Sequence, residues 1–459
     1  MAIEKKPRNK MPEQDAKERA RNFGEVALGY TAQQAKDEAS RCMHCKNAPC
    51  RQGCPVAVDI PAFLEATAAG DFDKAGEIIG RTSSLPAVCG RVCPQESQCE
   101  KMCLRARIDG AVAIGNTERF IGDHMLQNGC KPRKAAPIGK RAAVIGSGPA
   151  GLTCAAELAN HGVEVTVFEA FHKAGGVLVY GIPEFRLPKS LVQAEIDKLC
   201  AGGVDIKLNT VAGKTVPIEE ILEQYDAVFI GSGAGLPMFM NIEGENLNGV
   251  YSANEYLTRV NLMKAYAPES ATPVQRGKHV AVIGAGNVAM DAARTALRMG
   301  AESVKVIYRR GREEMQARAE EIAHAEQEGI EFCLLTNPVS FAGENGWVKS
   351  IRCVKMELGE ADASGRRSPR PVAGSEFDIV ADMVIVSLGT RPNPLLKNSF
   401  PALPTSAKGT IVVNEETMQT SLDGVYAGGD AVTGAATVIL AMGAGRKASK
   451  AILQKWGIL

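Results

Sequence analysis

Residues 141–170 read RAAVIGSGPAGLTCAAELANHGVEVTVFEA. A short apolar run leads into Gly146-x-Gly148-x-x-Gly151, a helical stretch follows, and a second apolar run ends on Glu169. This is the strand–turn–helix–strand of a dinucleotide-binding unit. The first glycine permits the tight turn, the second lets a pyrophosphate approach the backbone, and the third lets helix and strand pack closely. The helix N-terminus presents unpaired N–H groups to the phosphates. Glu169, at the end of the second strand, is placed to hold a ribose 2′-hydroxyl, so the nucleotide expected there lacks a 2′-phosphate.

The pattern recurs in KHVAVIGAGNVAMDAARTALRMGAESVKVIYRR, residues 278–310. Gly284 and Gly286 form the turn, Ala289 takes the third place, and Asn287 and Val288 open the helix. Alanine is an accepted third residue. Aligning VTVFEA with VKVIYR puts Tyr308 where Glu169 stands, followed by Arg309 and Arg310. The carboxylate that would repel a 2′-phosphate is gone, and guanidinium groups offer it charge-assisted forks. The second unit is therefore expected to hold NADP(H) and the first FAD. Each unit closes with a strand before a glycine loop, YDAVFIGSGA (225–234) and ADMVIVSLGT (381–390). The tail GTIVVNEETMQTSLDGVYAGGDAV (409–432) adds strand-like segments and a final helix, with no fingerprint of its own. The second unit thus reads as an insertion into a domain begun by the first and finished by the tail. Gly429 and Asp430 in the tail suit the pyrophosphate–ribitol region of FAD. The helix begun at Thr437 can aim backbone N–H groups at the flavin ring, where they would stabilise negative charge. GGVLVYGIPEFRLPK (175–189), with Gly176, is expected to lie over the flavin.

The chain has 459 residues and a formal net charge of +1, which gives no electrostatic reason to expect nucleic acid or an anionic membrane as a partner. The N-terminal stretch MAIEKKPRNKMPEQDAKERARN is charged and is no secretory signal. No membrane span is visible, and the expected location is the cytoplasm. Nine of the 13 cysteines lie between residues 42 and 130. In such a chain the cluster points to metal ligation over disulfides. Cys154, Cys200, Cys333 and Cys353 stand singly in apolar patterns and read as buried core thiols. The first run is Cys42-x2-Cys45-x4-Cys50-x3-Cys54-Pro, and the second is Cys89-x3-Cys93-Pro-x5-Cys99-x3-Cys103. Zinc favours paired C-x2-C knuckles, and only one is present. Both runs carry Cys-Pro, as ferredoxin-like iron–sulfur runs do. His44, inside the first run, reads as a surface or packing residue.

The expected fold class is α/β. A small, mostly helical N-terminal iron–sulfur domain (1–135) with two [4Fe–4S] clusters precedes two Rossmann-like domains. FAD-binding halves occupy 136–250 and 391–459, with the NADP(H)-binding domain at 251–390 inserted between them. A polar arm ends in a helix at TAQQAKDEASRC, and 129–141 is a basic, proline-containing linker.

Together, CxxCxxxxCxxxCP, LPAVCGRVCPQ, GSGPAG, YGIPEFRLPK, GAGNVAMDAAR, YRRGREEM and AGGD resemble the glutamate synthase small (β) subunit family. They resemble still more the large subunit of NADH-dependent reduced ferredoxin:NADP oxidoreductase, an electron-bifurcating transhydrogenase, which the arm MPEQDAKERARNFGEVALGY also favours. The resemblance runs from residue 11 to the end. It implies that Cys42, Cys45, Cys50 and Cys103 hold one [4Fe–4S] cluster. Cys54, Cys93 and Cys99 hold the other, with Glu118 as fourth ligand, and Cys89 is spare. Cysteine arithmetic alone leaves this open, since eight cysteines suffice for two clusters. Gln316 stands where the family's usual proline follows REEM.

The implied activity is hydride exchange between NADP(H) and flavin, with no catalytic side chain, and single-electron transfer through the clusters. The implied partners are a smaller FAD- and iron–sulfur-containing flavoprotein subunit that reacts with NAD, and ferredoxin, in a hetero-oligomer. The alternative is the NADPH-oxidising small subunit of glutamate synthase, partnered by its large subunit. A non-catalytic cluster-bearing scaffold is a third reading, and two intact nucleotide fingerprints speak against it.

Overall fold

The computed structural model describes residues 5–128, 134–361 and 365–459. Residues 129–133 of the expected linker, with Cys130, lie outside the described residues.

Strand Arg141–Ile145, which opens the first fingerprint, is the middle strand of a five-stranded parallel sheet. The order is Val425–Ala427, Ala227–Ile230, Arg141–Ile145, Glu164–Phe168, Val204–Lys207. Strands covered on both faces read as unbroken apolar runs rather than alternating ones, and AAVI, VTVF and AVFI do so here. The second fingerprint repeats the plan. Its parallel sheet runs Val250–Ser252, Met383–Val386, His279–Ile283, Ser303–Tyr308, Glu331–Leu334. Strand Val425–Ala427 returns to the first sheet after the second is complete, so the second unit is inserted in the first. The outgoing and returning segments pair antiparallel, Leu236–Pro237 with Thr390–Arg391.

Two features depart from expectation. Of the strand-like segments in 409–432, only Val425–Ala427 forms a sheet strand, and the rest is held by isolated bridges such as Gln419↔Tyr426. Between the strands of the second unit, Thr336–Glu344, Trp347–Ala361 and Arg367–Pro371 form an antiparallel sheet, with Phe377–Val380 also pairing to the long middle strand.

The N-terminal region is helical. Thr31 caps helix Ala32–Ala39 in a reciprocal capping box with Gln34. Helices Pro86–Val92 and Ile114–Gln127 cross almost backbone to backbone. A Cβ on Gly90 would lie 2.4 Å from Arg119 Cα, and one on Gly122 would lie 2.5 Å from Ala87 N. Phe63, Ile79 and Val88 of this region share one continuous apolar core with Val144, Leu152 and Ile452 of the first unit. The second unit has separate cores on its two sheet faces. Among the described residues no helix is long and apolar enough to cross a membrane.

Candidate functional site

The first glycine turn gathers several expected residues. Gly146 has a positive φ of 96°, and a Cβ on Gly151 would lie 1.9 Å from Gly146 O, so helix Pro149–Ala159 starts hard against its strand. Gly148 is the contrast: nothing lies within 4 Å of where its Cβ would be. The space above it is open to a ligand, and the helix start has no side-chain cap to satisfy its N–H groups. Glu169 is buried at the edge of this turn and accepts from Ser147 N at 2.9 Å and Phe171 N at 2.8 Å. Gly176 folds over the turn, its would-be Cβ 2.8 Å from Gly148 Cα. Gly429 closes from the other side, its would-be Cβ 3.0 Å from Ala150 Cβ. Asp430 accepts from Ala436 N at 3.2 Å, and burial pushes its carboxyl up to about 6. Thr437 caps helix Val438–Lys455 through its hydroxyl, which accepts from Leu440 N. Ser147, between the fingerprint glycines, was not singled out from the sequence. Its hydroxyl donates to Glu169 and accepts from Gly175 N at 2.9 Å, tying three segments together.

The second turn lies on the other sheet. Gly286 again has open space where a Cβ would be, and helix Asn287–Arg298 has no side-chain cap. Val288 is exposed at its first turn. The Asn287 carboxamide accepts from Arg318 N at 2.9 Å, fixing the loop that carries Gln316. Gly146 N donates to Phe168 O and Gly284 N to Ile307 O, so Glu169 and Tyr308 are equivalent positions. Arg309 is exposed there, and Arg310 donates through Nε to Arg367 O at 2.9 Å.

The cysteines form two groups. Cys42, Cys45, Cys50 and Cys103 line one cavity of about 20 Å³ with Met43, Pro49, Met102 and Leu104. Burial, then the neighbouring Cys42 and Cys103 thiols, pushes Cys50 up to about 12. The second group is deeper. Cys93 closes helix Pro86–Val92, and Glu118 projects from the crossing helix. Burial pushes the Cys54 thiol up to about 11, with Glu118 adding to the shift. Cys99 is raised by burial and by Glu100, Glu118 and Cys54. Cys93 is raised by its hydrogen bond with Cys89, by burial and by Glu118. Burial alone pushes the Glu118 carboxyl up to about 8. No cation or donor offsets that rise, although a buried carboxylate normally has one or the other. The thiols of Cys54, Cys93 and Cys99, with Cys89 hydrogen-bonded to Cys93, gather around the buried Glu118 carboxyl, and this donor set fits a cationic metal cluster, just as the open glycine turns fit dinucleotides. Cys89 is fully buried, 3.4 Å from Met442 Sδ on helix Val438–Lys455. His44 is exposed, Cys154 and Cys353 are buried as expected, but Cys200 is exposed and Cys333 half-buried. Cys200 lies in the last turn of helix Lys189–Ala201, and Cys333 on edge strand Glu331–Leu334, where apolar neighbours in sequence do not guarantee cover.

Comparison with known proteins places these features. Residues 19–130 match the family model "Dihydroprymidine dehydrogenase domain II, 4Fe-4S cluster", and residues 140–448 match "Pyridine nucleotide-disulphide oxidoreductase". The chain is 39% identical over 453 residues to the glutamate synthase [NADPH] small chain of Azospirillum brasilense, covering 96% of this chain and 94% of that one. It is 39% identical to the NADP(+)-dependent formate dehydrogenase subunit beta of Moorella thermoacetica, covering 89% of this chain and 60% of that one. FprA from Mycobacterium tuberculosis, solved in complex with NADPH, shares the fold with a TM-score of 0.57 at 21% identity, covering 70% of this chain and 86% of FprA.

Proposed function

Because this chain belongs to the glutamate synthase small-chain family, with a 4Fe-4S domain joined to a pyridine nucleotide-disulphide oxidoreductase module, we propose that it is the NADPH-oxidising, electron-delivering subunit of a larger enzyme. The relatives favour this reading over the bifurcating transhydrogenase large subunit, reversing the order drawn from sequence motifs. Two of them are named as the small chain or beta subunit of an enzyme, which supports a hetero-oligomer. A glutamate synthase large subunit is the partner we propose, ahead of a small NAD-reactive flavoprotein and ferredoxin.

FAD, when bound, would supply the conversion of a two-electron hydride into single electrons. The chain's own residues bind and orient. Gly146, Gly148 and Gly151 admit the FAD pyrophosphate, Glu169 holds its ribose, and Gly176, Gly429, Asp430 and the helix begun by Thr437 enclose the rest. Gly284, Gly286, Asn287 and Val288 receive the NADPH phosphates, and Arg309 and Arg310 its 2′-phosphate. Cys42, Cys45, Cys50 and Cys103 hold an outer [4Fe–4S] cluster. Cys54, Cys93, Cys99 and Glu118 would hold a deeper one. Oxygen ligation would shift that cluster's potential relative to an all-cysteine one.

The observation that carries this is the buried Glu118 carboxyl, offset by no cation, among the thiols of Cys54, Cys93 and Cys99. The test is metal analysis with electron paramagnetic resonance on anaerobically purified chain. Wild type should hold about eight irons. Glu118→Ala should lose or alter one cluster signal, while Cys89→Ser should keep the full iron content. The opposite pair of results would exchange the ligand roles of Glu118 and Cys89, and a colourless preparation would sink the enzyme reading.

A further inference from the structure

The antiparallel strands Trp347–Ala361 and Arg367–Pro371 have no counterpart in the first unit. The end of this hairpin is fastened to the end of strand Ser303–Tyr308 by side-chain contacts. Arg366 Nη2 donates to the Tyr308 hydroxyl at 3.2 Å. That hydroxyl donates to Glu314 O at 2.7 Å, and Arg310 Nε donates to Arg367 O at 2.9 Å. Arg367 pairs with Glu313 and Glu314. These bonds hold the hairpin end against the loop that follows Tyr308.

Tyr308 is the position at which the first unit carries its ribose-binding carboxylate, as the matching backbone bonds of the two turns establish. Tyr308 is buried, and its hydroxyl is committed to Glu314 O. It therefore leaves the ribose side of the site to other groups. The guanidinium of Arg366 sits at that hydroxyl, so the inserted hairpin brings a cation to the side chain that replaces the first unit's anion.

We propose that Arg366 is a specificity-determining residue for the dinucleotide. It adds a donor from the hairpin to the ribose 2′-phosphate, alongside Arg309 and Arg310 from the strand end. A phosphate monoester carries between one and two negative charges near neutral pH, and planar guanidinium forks match its oxygens. The role rests on the reading that the second unit takes NADP(H). The hairpin then becomes part of the nucleotide site, and its insertion in this unit alone matches the presence of a 2′-phosphate in this unit alone.

The test is calorimetric binding of 2′,5′-ADP and of 5′-AMP to the purified holoprotein, for wild type, Arg366→Ala, Arg366→Lys and Arg309→Ala. Arg366→Ala should weaken 2′,5′-ADP binding by about tenfold or more and leave 5′-AMP binding unchanged. Arg366→Lys should restore part of the loss, and Arg366→Ala should bind 2′,5′-ADP with a shallower salt dependence than wild type. In turnover, kcat/KM should fall for NADPH and hold for NADH. If Arg366→Ala matches wild type on 2′,5′-ADP while Arg309→Ala weakens it, the role of Arg366 is overturned and the NADP(H) reading stands. If Arg366→Ala weakens both probes equally, Arg366 serves only to shape the hairpin and the proposal is wrong. If wild type binds the two probes equally well, the NADP(H) reading itself fails.

Discussion

Helix Pro149–Ala159 of the first nucleotide unit is buried almost wholly by small apolar residues, whereas helix Asn287–Arg298 of the second adds buried ions to its apolar face. On the first helix Ala150, Cys154 and Ala155 are buried, and helix Val438–Lys455 crosses so closely that a Cβ on Gly445 would lie 2.2 Å from Ala150 O. On the second, Asp291, Arg294 and Arg298 are buried alongside Ala289, Met290, Ala292 and Ala293. Arg186, from the YGIPEFRLPK loop of the first unit, sets Nη1 between the two oxygens of Asp291 at 2.6 and 2.8 Å, and its Nε lies 2.9 Å from Glu321. Glu328 accepts from Arg294, Arg298 and Arg19. The guanidinium groups of Arg298 and Arg294 lie 3.9 and 4.9 Å from the Phe185 ring centroid. The N-terminal arm joins the same junction, with Phe23 stacked on Tyr266 at 4.3 Å and Asn22 O accepting from Arg298 Nε. Apolar contact is non-directional, whereas forked ion pairs are satisfied in one geometry only. The first unit is merged into the core of the cluster domain, and the second is docked onto it in a single orientation. That distinction suits a chain in which the nucleotide of one unit must meet the flavin of the other.

The sharpest way to break the ionic half is Glu328→Gln. Burial pushes the Glu328 carboxyl up, yet its bonds to Arg298 and Arg294 hold it near 2, so it is charged at all working pH values. The substitution strips the shared counter-charge from three buried guanidinium groups. Removing one partner of a buried ionic network costs about 3–5 kcal/mol. Thermal unfolding should move far down, and NADPH binding should be lost before flavin release as denaturant rises. Loss of flavin first would contradict the division between a merged and a docked unit.

Gly445→Ala probes the apolar half. The added methyl meets the backbone oxygen of Ala150 and the Cys154 N at 3.2 Å, and backbone cannot swing away as a side chain can. Overpacking of this kind costs about 1–3 kcal/mol. The expected result is a lower melting temperature with reduced flavin content and an unchanged affinity for NADPH, read by absorbance and calorimetry.

The contrast between the two helices also marks how far sequence could be read. PAGLTCAAELA and its strands announced a buried unit, because every position of the helix but Glu157 is small or apolar. NVAMDAARTALR places Asp291, Arg294 and Arg298 three and four residues apart, the pattern of a solvated helix face. The partners that bury them, Glu328, Glu321, Arg186 and Arg19, come from three distant segments, and no local spacing signals such pairing. The glycine turns and cysteine runs were legible because their chemistry demands fixed local spacing. The hairpin at 347–371 was not, since antiparallel pairing of two half-exposed strands leaves only weak alternation. Cys200 and Cys333 misled for a related reason: apolar neighbours along the chain say nothing about an element's last turn or a sheet's edge.

The smallest expected effect comes from Arg186→Lys, which keeps the charge and removes the planar group that spans Asp291 and Glu321. A lysine ammonium can face Asp291 or Glu321 but cannot span both as the planar guanidinium does. Burial pushes Asp291 up to about 6 despite Arg186, with Glu321 adding to the rise and Arg294 opposing it. Burial also opposes ionisation of Glu321, but Arg186, Arg294, Arg318 and His324 hold it near 2. Weakening the Arg186 contact raises both folded-state values. For Glu321, whose folded value lies below the ordinary 4.5, stabilisation present above pH 4.5 is diminished. For Asp291, whose folded value already lies above the ordinary 3.8, the cost of holding a buried charge grows above pH 6. Both shifts act in the same direction. Arg186→Lys should therefore cost about 1 kcal/mol at pH 8 and less at pH 5, where Asp291 takes up a proton. Melting temperatures of variant and wild type, compared at the two pH values, measure it. A loss that is equal at both, or larger at pH 5, would mean that Arg186 orients the second unit through shape rather than charge.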